Sequence, residues 1–232
     1  ACLADIEKWL SPTSSPIKEK QADYQRILQE IIYWFAVHHP RADIRVIQKA
    51  FEIATIRYTD KVFPSGQSYL EHALIVAKNV AKWGAATTTI IAAMLHKLSS
   101  KEIDDLFSKK GAKELKPITI KQAYEIKSII QRLTETTKKA YVDGEYIGII
   151  KGNFTLQNYQ NMIVKLAQDE ETMRLYFADK LQTVRYQELM HIALPLARRL
   201  YAKDNVRDLK NEALRFYRPK EFSHIEKEKE NI

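Results

Sequence analysis

The stretch Thr87-Thr88-Thr89-Ile90-Ile91-Ala92-Ala93-Met94-Leu95-His96-Lys97-Leu98 constrains the fold of this 232-residue chain more than any other. Ile90 to Leu95 is apolar at every position, so a helix built from it has no face for water and must be enclosed by other elements. The chain supplies amphipathic segments to enclose it. Ile27, Leu28, Ile31, Ile32 and Phe35 recur at spacings of three and four from Tyr24 onward, as on one face of a helix that stops near Pro40. Further helices are expected over 41–59, over 68–83 between the breaker Phe63-Pro64-Ser65-Gly66 and Gly84, and over 118–133, 156–168, 170–191, 192–201 and about 205–217. The polar segment 99–117 reads as a connection. So does 134–154, which holds Gly144, Gly148 and Gly152 and is expected to be mobile. With only 6 Gly and 7 Pro, the composition favours helix over turn-rich sheet, and no fixed-period repeat interrupts it. The expected fold class is an all-α helical bundle. An irregular leader over 1–20, marked by Ser11-Pro12 and Ser14-Ser15-Pro16, precedes one domain over 21–225, and 226–232 is a charged tail or the start of a linker.

Lys plus Arg number 37 against 29 Asp plus Glu, a net charge of +8 that suits an anionic ligand such as a nucleotide. No block of like charge occurs, and Glu226-Lys227-Glu228-Lys229-Glu230 alternates sign as a solvated helix face does, so direct nucleic-acid binding is not expected. Cys2 is the sole cysteine, which excludes an intrachain disulfide and a cysteine-based zinc site and fits a reducing cytoplasm. The most apolar run is far too short to span a bilayer and the N-terminus lacks a signal-peptide pattern, so a cytoplasmic protein without membrane contact is expected. Starting at Ala1 and stopping in a charged run, the chain reads as a piece of something longer.

There is no phosphate-binding loop, no dinucleotide fingerprint and no His-Glu-x-x-His pair. Histidine and carboxylate remain. His72, His96 and Asp179 fall on or beside three different predicted helices, each next to an apolar surface, and metal-dependent helical hydrolases converge their ligands in this way. Spacing does not make the three meet, and the alternative for each is a hydrogen-bonded core residue. His38-His39 before Pro40 reads as a helix end rather than a metal pair, His191 and His224 as surface or interface residues, and Trp9, Trp34 and Trp83 as packing anchors.

An ordered series of motifs then carries a resemblance. Ser65-Gly66-Gln67-Ser68-Tyr69-Leu70-Glu71-His72 is followed by Ala92-Ala93-Met94-Leu95-His96, then by Tyr176-Phe177-Ala178-Asp179-Lys180-Leu181, Pro195-Leu196-Ala197-Arg198-Arg199-Leu200 and Leu214-Arg215-Phe216-Tyr217-Arg218-Pro219-Lys220-Glu221-Phe222. In this order, over roughly residues 41 to 225, they resemble the N-terminal HD domain of the RelA/SpoT family, whose members make and hydrolyse guanosine tetra- and pentaphosphate, (p)ppGpp. The resemblance implies an all-helical HD fold in which two His and two Asp hold one manganese ion, which activates a water against the 3′-diphosphate. It implies metal positions at His72, His96, the place of Lys97, and Asp179, with nucleotide contacts at Ser65, Tyr69 and Thr183. It also implies a synthetase domain elsewhere in the same polypeptide and a guanine nucleotide as ligand.

The departures from the family pattern gather on the chemistry. Lys97 stands where the family has the Asp of its His-Asp pair, and a protonated ammonium has three donors and no lone pair for a cation. The Glu-Asp pair that follows in the family has no match in Leu98-Ser99-Ser100-Lys101-Glu102, Phe63 and Pro64 replace basic residues before Ser65, and Gln182-Thr183 replaces a His-Asn. The expectation is therefore a degenerate, catalytically inactive pyrophosphohydrolase-like domain with a structural or regulatory role and no cofactor, in which the Lys97 ammonium takes the place of the ion and pairs with Asp179. The alternative for Lys97 is that it simply reaches solvent at the end of its helix. Two alternatives stand for the function: an active manganese-dependent hydrolase in which Glu71 or Glu102 supplies the missing carboxylate, Glu102 being the one catalytic candidate, or a module that binds nucleotide without turnover.

Overall fold

The computed structural model of the protein describes residues 16–139, 141–142, 145–146, 163–164, 169–183, 189–199 and 203–217. At its centre is the helix that the apolar run demands, α4 (Thr87–Leu95), introduced after α1 (Pro16–His38), α2 (Arg45–Arg57) and α3 (Tyr69–Lys82). Every residue from Ile90 to Leu95 is fully buried. α2 and α3 pack against α4 from the N-terminal part of the chain, and α1 covers α3 from outside. The short α5 (Ser100–Leu106) and a single 3-10 turn, Gly111–Lys113, lead to α6 (Ile120–Lys139), which packs on α4 as well. α7 (Glu170–Thr183) lies against α3, α4 and α6. A π-turn at Leu189–Ala193, α8 (Leu194–Arg199) and α9 (Lys203–Tyr217) complete the described part, α9 packing on α7 and α8.

Local chemistry explains the boundaries. Ser68 caps α3 by accepting from the Leu70 amide, and Ala73, Ala77 and Ala81 put small residues on its buried side, which lets neighbouring helices approach closely. α3 ends in a Schellman motif: the Gly84 amide donates to the Ala81 carbonyl and the Ala85 amide to the Val80 carbonyl, with Gly84 at φ +69°. The His38 and His39 rings close the same corner, His39 bonding the Ala85 carbonyl at 2.8 Å, so they serve as the helix-end residues expected of them. The N-terminus of α4 has no side-chain cap of its own. Glu171 of α7 takes that role, accepting from the Ala86 amide and the Thr89 hydroxyl.

The all-helical class expected from the sequence is the class observed, with one small addition: Tyr141–Val142 pairs antiparallel with Glu145–Tyr146. That pair falls in the segment read as a mobile connection, and α6 also runs on to Lys139, six residues past the expected end, because Glu135 to Lys139 contains no Gly or Pro to stop it. Residues 16–20, expected to belong to an irregular leader, are helical, while residues 1–15 lie outside the described ones. α1 begins at Pro16, since proline lacks only an amide that a first-turn residue would leave unbonded anyway. Within 99–117, read as a polar connection, Ser99 and Glu102 form a reciprocal capping box that starts α5. Of the helix expected over 170–191 the structure describes Glu170–Thr183, residues 184–188 lying outside the described ones, and α9 is already helical at Lys203, ahead of the expected 205. Trp83 is buried and donates to Asp208, and Trp34 stacks on His38, whereas Trp9, His224 and the tail lie outside the described residues.

A methyl group at Gly84 would meet the His38 ring at 3.2 Å in a backbone conformation that L-residues resist. Gly84→Ala is expected to lower stability by about 1–2 kcal/mol or more. Gly66→Ala, also at positive φ but facing open space, should cost less; urea denaturation of the two variants side by side checks the order.

Candidate functional site

Three helices deliver the site. His72 lies one turn into α3 on its buried side, and its position follows from the Ser68 cap and from a tight reversal just before it. In that reversal Val62 bridges Ser68, the Phe63 amide donates to the Gln67 carbonyl, and Gly66 adopts φ +84°. His96 is the residue that closes α4, and Lys97 follows it in a turn whose amide donates to the buried Tyr58 hydroxyl at 3.0 Å. Burial pushes the Tyr58 hydroxyl pKa up, so it stays protonated. Asp179 comes from α7.

A single carboxylate oxygen gathers these side chains. Asp179 Oδ1 lies 3.1 Å from His72 Nε2, 3.2 Å from His96 Nε2 and 2.9 Å from Lys97 Nζ. His72, His96 and Asp179 are almost completely buried, while the Lys97 side chain keeps 21% of its surface exposed. Burial would raise the Asp179 pKa, but the Lys97 charge and the hydrogen bond from His72 hold it well below the ordinary carboxylate range. Burial, reinforced by the Lys97 charge, lowers His96 to about 4, which leaves it neutral near pH 7. Its Nδ1 lies 2.6 Å from the Ala93 carbonyl. A neutral imidazole that donates there turns the lone pair of Nε2 toward Asp179. Two electron-rich atoms then face each other, and the ammonium of Lys97 is the cation between the helices that makes the arrangement tolerable.

His72, His96 and Asp179 have the form of a metal site, with one ligand atom from each lying within 4.8 Å of the others. The complete set does not fit a divalent cation. One carboxylate and two imidazoles alone can hold such an ion, but the oxygen that would bind it already carries the Lys97 ammonium. Repulsion between that ammonium and a divalent ion about 4 Å away is about 8 kcal/mol at an effective dielectric of 20.

The other sequence candidates lie apart from this oxygen. Glu102 is bound to Lys61 at 2.6 Å and to the Ser99 amide and hydroxyl. Partial burial would raise its pKa, yet these donors bring it down to about 2. Neither Glu71 nor Glu102 joins the ligand cluster among the described residues. Ser65 is exposed at the tip of the reversal, and Tyr69 is half-buried with its ring between Tyr58 and Phe63. Thr183 ends α7 one turn beyond Asp179, and its side chain lies outside the described residues. Sequence reading noted Phe63 only as a departure from a pattern. In the fold its ring packs 4.3 Å from Tyr69 and 5.1 Å from His72, with Lys97 Nζ 5.8 Å from its centroid, so it covers the cluster. The signal available beforehand was its position just before the Ser-Gly turn, where a hairpin folds it back onto the following helix.

A family model described as an HD domain matches residues 50–212, well over half of the chain. The chain is similar to a probable GTP pyrophosphokinase of Mycobacterium leprae, 24% identical over 212 residues that make up 86% of this chain and 25% of that protein. It is similar to a guanosine-3′,5′-bis(diphosphate) 3′-pyrophosphohydrolase of Aquifex aeolicus, 24% identical over 217 residues, 85% of this chain and 27% of that one. A shorter match, 42% identical over 64 residues, is to a bifunctional (p)ppGpp synthase/hydrolase RelA of Mycobacterium tuberculosis and covers 26% of this chain and 9% of the relative. The chain thus spans about a quarter, or less, of the length of these relatives.

The depressed His96 pKa makes stability pH-dependent with a definite sign. Below about 6.5 the unfolded chain binds a proton that folded His96 refuses until about 4. Stability should therefore be full above pH 7 and fall by up to about 3 kcal/mol as pH drops through this window. Lys97→Met should cost about 3 kcal/mol at neutral pH by leaving Asp179 without its ammonium. It should also flatten the slope between pH 6.5 and 4, because His96 can then take up the proton in the folded state. Urea unfolding of both proteins across pH 4–8 is the check, and an unchanged slope in the variant would remove Lys97 from this account.

Proposed function

The chain belongs to the HD-domain family as a RelA/SpoT-type (p)ppGpp hydrolase-like domain, and from that premise we propose that its hydrolytic site is retired, with the Lys97 ammonium in place of the metal ion. The observation that carries this reading is the 2.9 Å contact between Lys97 Nζ and the same Asp179 oxygen that both imidazoles approach. Hydrolysis of a phosphoester of this kind calls for a Lewis acid and a water made acidic by it. Neutral His96 with its proton turned toward Ala93, a Lys97 paired with Asp179 and a Glu102 held as a weak base by Lys61 supply neither the ion nor a competent proton acceptor. Phe63 adds apolar cover on the face of His72, where a charged phosphate would be unwelcome.

On this reading the domain is a structural and regulatory module of guanosine tetra- and pentaphosphate metabolism in the cytoplasm. Its partner is a synthetase domain of the same polypeptide, in line with the greater length of the relatives and with the synthase named in one of them. The ion pair keeps α3, α4 and α7 together without a cofactor, so the framework can transmit or receive contacts while doing no chemistry. None of the described helices is long and apolar enough to cross a membrane.

The expected result of incubating the protein with ppGpp and manganese is no pyrophosphate release above the protein-free control, together with substoichiometric manganese after dialysis. Lys97→Asp should gain manganese binding, read by electron paramagnetic resonance, because it restores a second carboxylate and removes the opposing charge. Pyrophosphate release by the unmodified chain, or one tightly held manganese per chain, would overturn the proposal. Saturable ppGpp binding without product would assign the domain a nucleotide-sensing role in place of a purely structural one.

A further inference from the structure

The end of α5, the 3-10 turn and α6 enclose a cleft of about 590 Å³ whose lining includes no residue of the His72, His96 and Asp179 cluster. Its floor is apolar, built on Phe107, Leu115 and Ile118. Its rim is apolar too. Ile120 and Tyr124, 85% and 78% exposed, are the most exposed large hydrophobic residues among those described, and both line the cleft. On α6 they lie one turn apart, and the same face continues through Lys127 and Gln131. At about 1.5 Å per residue this wall is about 16 Å long, which matches about three turns of a second helix laid alongside. An isoleucine and a tyrosine presented to water above a recessed apolar floor are the features of a surface that something covers.

Charge selects the occupant. From Asp104 to Lys127 the chain carries six lysines and four carboxylates. Three of the carboxylates are already paired at the surface, Asp104 with Lys127, and Asp105 and Glu114 with Arg57, which leaves the exposed Glu125 as the fourth. Lys109, Lys110, Lys113, Lys116 and Lys121 are exposed and have no ion-pair partner among the described residues. The elements that build the cleft therefore present apolar floor and positive edge together. We propose that this cleft is a docking groove for an acidic amphipathic helix of a partner polypeptide, about three turns long, that lays apolar residues at i, i+3 or i+4 and i+7 against Phe107, Leu115 and Tyr124 and turns its Asp and Glu toward the lysines. A lipid surface fits less well because the apolar floor is recessed rather than convex. An RNA strand fits less well because Tyr124 is the one exposed aromatic residue at the rim, where strand binding uses several stacking platforms.

The test is fluorescence anisotropy with a labelled, helix-stabilised peptide of about 14 residues, leucine on one face and glutamate elsewhere. A counterpart with lysine in place of glutamate is run in parallel. The acidic peptide should bind saturably, more weakly as salt rises, and the lysine peptide should not bind. The double variant Ile120→Ser/Tyr124→Ser should lose at least about tenfold in affinity, and because both side chains are exposed it should keep its circular dichroism spectrum and melting temperature. Lys109→Glu/Lys121→Glu should weaken the acidic peptide and favour the lysine peptide. Equal binding by all variants, no binding, or binding of the acidic peptide that survives at high salt would overturn the proposal. So would capture by phosphatidylglycerol vesicles in place of the peptide, or a dimer in sedimentation velocity that the double variant abolishes, which would assign the face to a lipid surface or to a second copy. None of these outcomes depends on whether the buried cluster hydrolyses ppGpp.

Discussion

A single helix, α7, holds α4 at both ends, and both attachments are carboxylates. Glu171 supplies the acceptor that the N-terminus of α4 lacks, and Asp179, eight residues further on, meets His96 and Lys97 where α4 ends. Eight helical residues advance about 12 Å, close to the length of the nine-residue α4, so the spacing of two acids on one helix matches the span of the other. Between them Arg174 reaches the Trp83 carbonyl at the end of α3. A helix that is apolar on all sides has no polar surface with which to orient itself. Its placement rests on its two polar termini, and α7 takes both.

This arrangement explains why Asp179 requires a cation whatever the chemistry of the domain. Its carboxylate is buried among imidazoles, one of them neutral and oriented lone pair inward, and a negative charge in that setting is costly unless a positive charge meets it. Lys97 meets that requirement from within the chain. Its Nζ lies 5.8 Å from the centroid of the Phe63 ring and its partly exposed side chain keeps some contact with water, which lessens the desolvation that a wholly buried pair would suffer. On the reading proposed above, the loss of a metal ion leaves the helical framework in place because the structural share of the ion's role passes to one ammonium.

The parts of this site that were legible in the sequence are those whose signal is local. The uniform apolarity of Ile90 to Leu95 located the core helix, and His72, His96 and Asp179 stood out because each interrupts an apolar surface. Their meeting was not legible from spacing, since it depends on how α3, α4 and α7 cross; the ordered motifs supplied it by resemblance. Lys97 was recognisable as a misfit at a ligand position, but a lysine at a helix end has solvent as an equal alternative, and only the fold brings its Nζ to Asp179. Glu102 went the other way. As the nearest acid after His96 it drew attention as a catalytic candidate, yet the Ser99-x-x-Glu102 spacing is itself a capping box, and the short helix it begins was hidden because seven residues are too few for periodicity to register.

The net charge is a similar case of a global number whose meaning depends on placement. Read from composition, an excess of eight positive charges suited an anionic ligand such as a nucleotide. Around the buried cluster, however, the cations are matched: Lys97 faces Asp179 and Lys61 faces Glu102. Part of the excess lies instead on the α5 to α6 segment, where Asp104, Asp105 and Glu114 are paired with Lys127 and Arg57 while five lysines are left at the surface near Ile120 and Tyr124. Electrostatic attraction of this kind guides a partner more than it anchors one, and the apolar floor supplies the anchor. The two halves of the recognition problem, charge at the edge and burial at the centre, thus converge on a face that contributes nothing to the phosphohydrolase-like site.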